Sequence, residues 1–203
     1  YENIKNVIGF LLSGNMAGIF CVLYASLMAL PAPFAAVHLL FINLLTDSLP
    51  AIAIGMEPAG SDLLNRKPRD PKEPLLSGDL VKRIGLQGLL IAVPVMTAFY
   101  LGYQTGTAEA MTMAFATLTL ARLFHGFNCR ENRSILRMGI SGNPASLAAF
   151  GVGVLLLLAV LLIPALHGLF LVADLTLAQL GMILGLAVLP TLCIQITRIA
   201  RGK

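Results

Sequence analysis

Apolar runs of about 20 residues recur along the whole chain, and this is the length an α-helix needs to cross a bilayer. Hydrophobic residues make up 57% of the 203 residues and charged residues only 12%. A water-soluble domain of this size needs more polar surface, so an ordinary soluble enzyme is excluded. The sequence therefore predicts an all-α, polytopic membrane protein. Six transmembrane helices are predicted, at residues 7–30, 34–56, 84–103, 110–128, 146–166 and 175–196.

The positions of the basic residues predict how these helices are oriented. All of the 14 Lys and Arg residues except Arg122 fall on one side of the six-helix arrangement. Because cytosolic segments of membrane proteins are enriched in Lys and Arg, we expect both termini and the loop 57–83 to be cytosolic. The prolines and alternating charges of this loop predict an irregular, water-exposed segment. Its charges are of mixed sign and no aromatic residues interleave with them, so we expect no nucleic-acid partner.

Two ionisable residues lie inside predicted helices, Asp47 in the second and Arg122 in the fourth. Ionisable groups are costly within a bilayer, so each suggests a functional site. Asn43 and Thr46 precede Asp47 by four residues and one, and Pro50 is expected to loosen the helix beside them because it has no backbone N–H. Carboxylate, amide, hydroxyl and carbonyl oxygens suit Ca²⁺ or a similar hard cation. The alternative is a structural hydrogen-bond network with a neutral buried carboxyl group.

The first predicted helix contains a smaller polar cluster, SGNMAG, at residues 13–18. Asn15 is deep enough in this helix to act as a cation ligand. Its neighbouring glycines equally permit a close helix–helix contact in which Asn15 is only a hydrogen-bonding residue. The residues alone leave both alternatives open.

Several motifs resemble a known family of ion pumps. The segment NLLTDSLPA, residues 43–51, closely resembles the sixth transmembrane helix of type II P-type ATPases of the calcium-pump branch. DLLNRKPRDPKEPLLS, residues 62–77, is similar to the cytosolic loop that follows that helix, and SGN, residues 13–15, to part of the fifth helix. LFH and NCR, at 123–125 and 128–130, resemble the end of the eighth. The resemblance implies that 1–203 is the C-terminal six-helix membrane domain of such a pump, helices five to ten.

The resemblance also implies roles for individual residues. Asn43 and Asp47 match positions that ligate the transported Ca²⁺, and Asp47 matches the central carboxylate. Asn15 and Thr46 match positions that serve mainly the site nearer helices five and eight. Proton counter-transport is implied as well, with protons returning on the vacated carboxylate.

The sequence departs from the family pattern at two positions. Gly18 stands where pumps with two calcium sites carry Glu, and Arg122, or Ala121 if the gap is placed differently, stands where the family carries Glu or Gln. A guanidinium at this place would repel a second divalent ion and can pair with Asp47. We therefore expect one Ca²⁺ per cycle. The alternative is that Arg122 snorkels or makes a single helix–helix hydrogen bond.

The family's phosphorylation motif, Asp-Lys-Thr-Gly, and its Thr-Gly-Glu motif do not occur in this sequence. We expect ATP and Mg²⁺ to act only through the N-terminal and cytosolic domains of the same pump, and no catalytic residue is assigned here. The resemblance implies that the loop containing Arg66, Arg69 and Lys72 contacts the phosphorylation domain and couples it to the ion site. The simpler interpretation is a solvated loop.

Other functions remain compatible with the residues alone. These are a stand-alone cation channel or secondary carrier, a pump for another cation such as Mn²⁺ or Na⁺, and a membrane scaffold that does not transport. The absence of internal repeats argues against a secondary carrier. The expected partner is the lipid bilayer, and short loops without a targeting signal suit a bacterial plasma membrane.

Overall fold

The computed structural model of the chain describes residues 1–58, 75–131, 135, 139 and 142–202. Throughout these residues the secondary structure is helical and contains no β-strand, which confirms the all-α prediction. In chain order the elements are α1 (Glu2–Leu27), α2 (Ala36–Phe41), a π-helical segment (Ile42–Thr46), α3 (Ser48–Gly55), α4 (Gly78–Tyr103), α5 (Thr107–Arg130), α6 (Pro144–Leu162), α7 (Pro164–Phe170) and α8 (Leu177–Ala200).

In the described part of the chain, five helical units are long and apolar enough to cross a membrane. They are α1, the continuous unit Ala36–Gly55, α4, α6 and α8. The protein is therefore a multi-pass membrane protein. The fourth predicted span, α5, is not among the five, although its 24 residues would reach about 36 Å.

Helix α5 is the centre of the bundle, which explains its lower apolarity. It packs against α1, α3, α4, α6 and α8, and most of its side chains are buried. A helix that is surrounded by protein can carry Thr, Asn, His and Arg side chains, provided that neighbouring helices supply hydrogen-bond partners. This central helix carries Arg122 into the middle of the bundle.

Proline ends one helix earlier than the sequence predicts. The fifth predicted helix was expected to continue to residue 166, but α6 ends at Leu162 and α7 begins separately at Pro164. Ile163, the residue before this proline, has an extended conformation with φ −94° and ψ 107°. The proline ring disfavours helical geometry at the preceding residue, so the chain turns there.

The second spanning unit is interrupted where the sequence predicts. The backbone N–H of Asp47 donates to the carbonyl of Ile42 at 2.9 Å, which is the five-residue spacing of a π-helix. Pro50 has no N–H to offer the carbonyl of Thr46, as expected. The predicted loosening of the helix is confirmed, and it leaves Asp47 at the junction between two helical segments.

Candidate cation site

The centre of the site is an ion pair between Arg122 of α5 and Asp47, at the start of α3. Both residues are 2% exposed, and Nη2 of Arg122 contacts Oδ2 of Asp47. The same Nη2 donates a hydrogen bond to Oδ1 of Asn15 in α1, at 3.1 Å. One guanidinium therefore joins three helices that are distant in sequence, and it neutralises the buried carboxylate.

Part of this pair remains unsatisfied. Among the described residues, Oδ1 of Asp47 and Nε of Arg122 have no hydrogen-bond partner although both atoms are buried. Buried polar atoms without partners are uncommon and costly, and they often mark a functional site. Within the described part of the chain, Asp47 thus keeps one buried carboxylate oxygen without a hydrogen-bond partner.

A glycine makes room for the guanidinium. A Cβ atom built on Gly14 would lie 2.5 Å from Cζ and 2.7 Å from Nη2 of Arg122, closer than any ordinary contact. Only glycine therefore allows α1 to approach the Arg122 head group in this position. Sequence reasoning did not assign Gly14 to the site, although it lies between Ser13 and Asn15 in the motif that carries the resemblance.

An open cleft of about 660 Å³ lies beside the ion pair. Asn15, Gly18, Asn43 and Arg122 line it together with apolar side chains of α1 and α2. Asn43 is exposed, and no atom lies within 4 Å of a Cβ built on Gly18. The structure thus brings four of the predicted residues to one cleft and leaves unfilled space where Gly18 replaces the expected acid.

The remaining predicted residues lie elsewhere. Thr46 is buried, is not among the residues that line the cleft, and donates its hydroxyl to the carbonyl of Ile42 at 3.0 Å. The hydroxyl oxygen of Thr46 can still accept a hydrogen bond or bind a cation through its lone pairs. Arg66, Arg69 and Lys72 lie outside the described residues.

The donor set suits a hard cation better than a soft metal. The described part of the chain has no group of three or more His, Cys, Asp or Glu side chains that could hold a metal ion. The site and the cleft beside it offer the carboxylate of Asp47 and the amides of Asn15 and Asn43, whose oxygens are ligands that Ca²⁺ accepts. Any cation bound by Asp47 must also compete with Arg122 for the carboxylate.

A second carboxylate–guanidinium pair joins the other end of α3 to α5. Arg130 donates to Glu57 from Nε and Nη2, at 2.8 and 2.7 Å, and Nδ2 of Asn143 donates to the same carboxylate at 2.7 Å. Burial alone would raise the pKa of Glu57, but the hydrogen bonds from Arg130 and Asn143 outweigh it and hold the pKa below its ordinary value. Sequence reasoning missed this clasp, because Glu57 and Arg130 are 73 residues apart.

These features define a multi-pass helical membrane domain with a buried ion pair at a broken helix. Residues 31–200 match the family described as "Cation transporting ATPase, C-terminus", and the chain belongs to this family. The resemblance to the C-terminal membrane region of type II P-type ATPases is thereby confirmed.

Similar proteins are named as calcium transporters. The "Calcium-transporting ATPase" of Bacillus subtilis (strain 168) is 36% identical over 206 residues, which cover 100% of this chain and 23% of that protein. "Calcium-transporting ATPase 1" of Lactococcus lactis subsp. lactis (strain IL1403) is 36% identical over 204 residues, with coverages of 100% and 23%. The mouse "Calcium-transporting ATPase type 2C member 1" is 28% identical, with coverages of 92% and 21%. The chain thus spans about a quarter of the length of these relatives.

Proposed function

We propose that this chain is the ion-binding membrane part of an ATP-driven Ca²⁺ efflux pump that carries one Ca²⁺ per cycle. The buried pair of Asp47 and Arg122 carries the proposal, because it combines a partly unpaired carboxylate with a built-in competing cation. The names of the relatives support Ca²⁺ as the transported ion. Mn²⁺ accepts similar oxygen ligands, so the experiment must distinguish a Mn²⁺ pump from the proposed Ca²⁺ pump.

Asp47 is the central ligand in this proposal. Its free Oδ1 receives the ion first, and Asn15 and Asn43 contribute amide oxygens from the adjoining cleft. Thr46 contributes its hydroxyl oxygen from the π-helical segment. Ca²⁺ takes six to eight oxygen ligands, so water and other segments of the full pump complete its shell.

Arg122 limits the site to one ion. Before Ca²⁺ binds, the guanidinium pairs with Asp47 and neutralises its charge. When Ca²⁺ binds Asp47, electrostatic repulsion drives the guanidinium away, and the open space beside Gly18 can receive it. There its charge repels a second divalent cation. After release of Ca²⁺ the guanidinium returns to the carboxylate, so Asp47 is not left as an unpaired buried charge.

This exchange affects the proposed proton counter-transport. The sequence-based expectation places the returning proton on the vacated carboxylate. Because Arg122 already neutralises Asp47 in the structure, a proton on Asp47 is not needed for charge balance. We therefore assign the counter-transported proton to another carboxylate of the full pump.

The membrane arrangement follows from the same proposal. Helix α5 is the sixth span, in addition to the five apolar units. Both termini and residues 57–83 are cytosolic, although 78–83, predicted as loop, form the first turns of α4. The loop residues Arg66, Arg69 and Lys72 couple the ion site to a phosphorylation domain elsewhere in the polypeptide, where ATP and Mg²⁺ act. A bacterial plasma membrane is the proposed location.

The first experiment uses the complete pump polypeptide in vesicles. Phosphoenzyme formed from ATP is measured across a Ca²⁺ titration, beside Mn²⁺ and Na⁺. We expect phosphorylation to require Ca²⁺, with a Hill slope near one. In Asp47→Asn, Ca²⁺ should no longer induce formation of the phosphoenzyme. Asp174→Asn is the matched control, since it makes the same change in a side chain that is 94% exposed. Phosphorylation that is indifferent to Ca²⁺, or unchanged in Asp47→Asn, contradicts the proposal.

The role of Arg122 needs a separate measurement. Ca²⁺ transported per ATP hydrolysed, and its dependence on pH, are compared between wild type and Arg122→Ala. Removal of the guanidinium is expected to change at least one of these quantities, because Asp47 then needs another counter-ion. If both are unchanged, Arg122 is a packing residue and does not set the stoichiometry.

A further inference from the structure

A second cleft, of about 680 Å³, lies between α4 and α8, away from the candidate cation site. It is found at the end of the bundle where α4 begins and α8 ends. None of the residues that line it also lines the cleft beside Arg122. The function proposed above makes no use of it.

The mouth of this cleft is strongly cationic. Lys82 and Arg83 line it from α4, Arg198 and Arg201 line it from the end of α8, and Asp79 is the one acid among the lining residues. Arg198 also donates to the backbone carbonyls of Asn128 and Glu131, at 2.8 and 3.0 Å. Four cationic side chains against one acid give these lining residues a net positive formal charge, which favours an anion at the mouth.

The same cleft also has an apolar wall, although the polar residues Gln87 and Thr197 line it as well. Leu86 and Leu90 follow Lys82 by one and two turns of α4, so the backbone of Leu90 lies about 12 Å along the helix axis from that of Lys82. Ile194 extends the wall on α8, one turn before Arg198. Leu86 is 69% exposed, and the wall is therefore accessible to an apolar occupant.

A cationic mouth above an apolar wall at one end of a membrane bundle has the polarity of a phospholipid. The phosphate of a headgroup would meet the Lys and Arg side chains, and the first part of an acyl chain would lie along the leucines. Basic pockets between transmembrane helices are known to bind anionic headgroups. Free phosphate would satisfy only the mouth and leave the leucines uncovered.

We propose that the cleft between α4 and α8 binds an anionic phospholipid from the adjoining leaflet. Lys82 and Arg201 hold the headgroup, since both are exposed at the mouth and come from different helices. The bound lipid bridges α4 and α8, which both pack against the central helix α5. The protein would then be more stable in a membrane that contains anionic lipid.

The test uses the full-length pump in vesicles of phosphatidylcholine with a minority of phosphatidylglycerol. After mild detergent extraction, phosphatidylglycerol retained per polypeptide is measured by native mass spectrometry. The double variant Lys82→Gln/Arg201→Gln removes two exposed cations and leaves Arg83 and Arg198 in place. At about fivefold per cation, the affinity for phosphatidylglycerol is expected to fall about 30-fold. Lys5→Gln is the matched control, because it removes a cation that does not line the cleft, and it should retain lipid as wild type does.

Two further comparisons separate lipid from free phosphate. Leu86→Gln should weaken retention of phosphatidylglycerol, while inorganic phosphate should compete poorly with the lipid in every variant. The proposal is overturned if the double variant retains as much phosphatidylglycerol as wild type. It is also overturned if inorganic phosphate displaces the lipid at comparable concentration and Leu86→Gln has no effect, because the cleft would then recognise phosphate alone.

Discussion

The substitution Gly14→Ala tests whether α1 and Arg122 are fitted to one another as the structure shows. The added Cβ would lie 2.5 Å from Cζ of Arg122, whereas ordinary contacts are 3.4–4 Å. The guanidinium must therefore move by about 1 Å, since it cannot overlap the new methyl group. That movement lengthens the contacts of Nη2 with both Asp47 and Asn15.

The size of the effect follows from the groups involved. A hydrogen bond to a charged group stabilises the folded protein by roughly 1.5–3 kcal/mol. Replacing Gly by Ala inside a helix stabilises it by about 0.5–1 kcal/mol, which offsets part of the loss. We expect Gly14→Ala to lower the free energy of unfolding by about 1–2 kcal/mol. In an Arg122→Ala background the clash is absent, so the same substitution should instead stabilise by about 0.5–1 kcal/mol.

The assay is a double-mutant cycle on the full-length protein, with unfolding followed by denaturant titration in mixed micelles. The expected coupling energy between positions 14 and 122 is about 1.5–3 kcal/mol. Gly18→Ala is the matched control in both backgrounds, because no atom lies within 4 Å of its new Cβ. If Gly14→Ala has the same effect with and without Arg122, the guanidinium does not occupy the position described and the account of the site is wrong.

Three further predictions concern the bundle around the site. Gly88→Ala should destabilise the protein by about 1–3 kcal/mol, because its new Cβ would lie 2.8 Å from Cβ of Met16 in α1. The control Gly85→Ala, whose new Cβ meets nothing within 4 Å, should be neutral or stabilising in the same denaturant titration. Thr191→Val should lower the free energy of unfolding by about 1 kcal/mol, because it removes the hydroxyl that accepts a hydrogen bond from Nδ2 of Asn128 at 3.0 Å. Equal stability of the variant and the wild type would contradict this. Glu57 has a lowered pKa in the folded protein, so its stabilisation is complete above the ordinary value of 4.5 and is lost as the pH falls through the lower folded-state value. Glu57→Gln should therefore flatten the loss of stability as the pH falls below 4.5, and an unchanged slope there would contradict this.

The parts of the fold that depend on local rules are predictable from the sequence. Apolar runs locate the helices, and the missing N–H of Pro50 predicts that the helix loosens beside Asp47, where the structure has a π-helical segment. Proline alone does not predict a break, however. Pro94 and Pro190 lie inside α4 and α8, whereas Pro164 separates α6 from α7. Proline is tolerated inside a membrane helix where neighbouring groups satisfy the backbone carbonyls that it frees.

The candidate site is predictable in its residue types but not in its contacts. The depth of Asp47 and Arg122 in apolar helices predicts that each needs a partner, and the structure pairs them. The fit of Gly14 against the guanidinium and the clasp between Glu57 and Arg130 depend on how helices that are distant in sequence pack together. A single sequence has no local signal for such contacts.

The most direct test of the central claim is to count Ca²⁺ ions bound at equilibrium to the purified full-length pump, using radioactive calcium. The account predicts one tightly bound Ca²⁺ per wild-type polypeptide, none in Asp47→Asn and an unchanged count in Asp174→Asn. Two bound ions in wild type, or one that remains in Asp47→Asn, would contradict a single calcium site centred on Asp47 and restricted by Arg122.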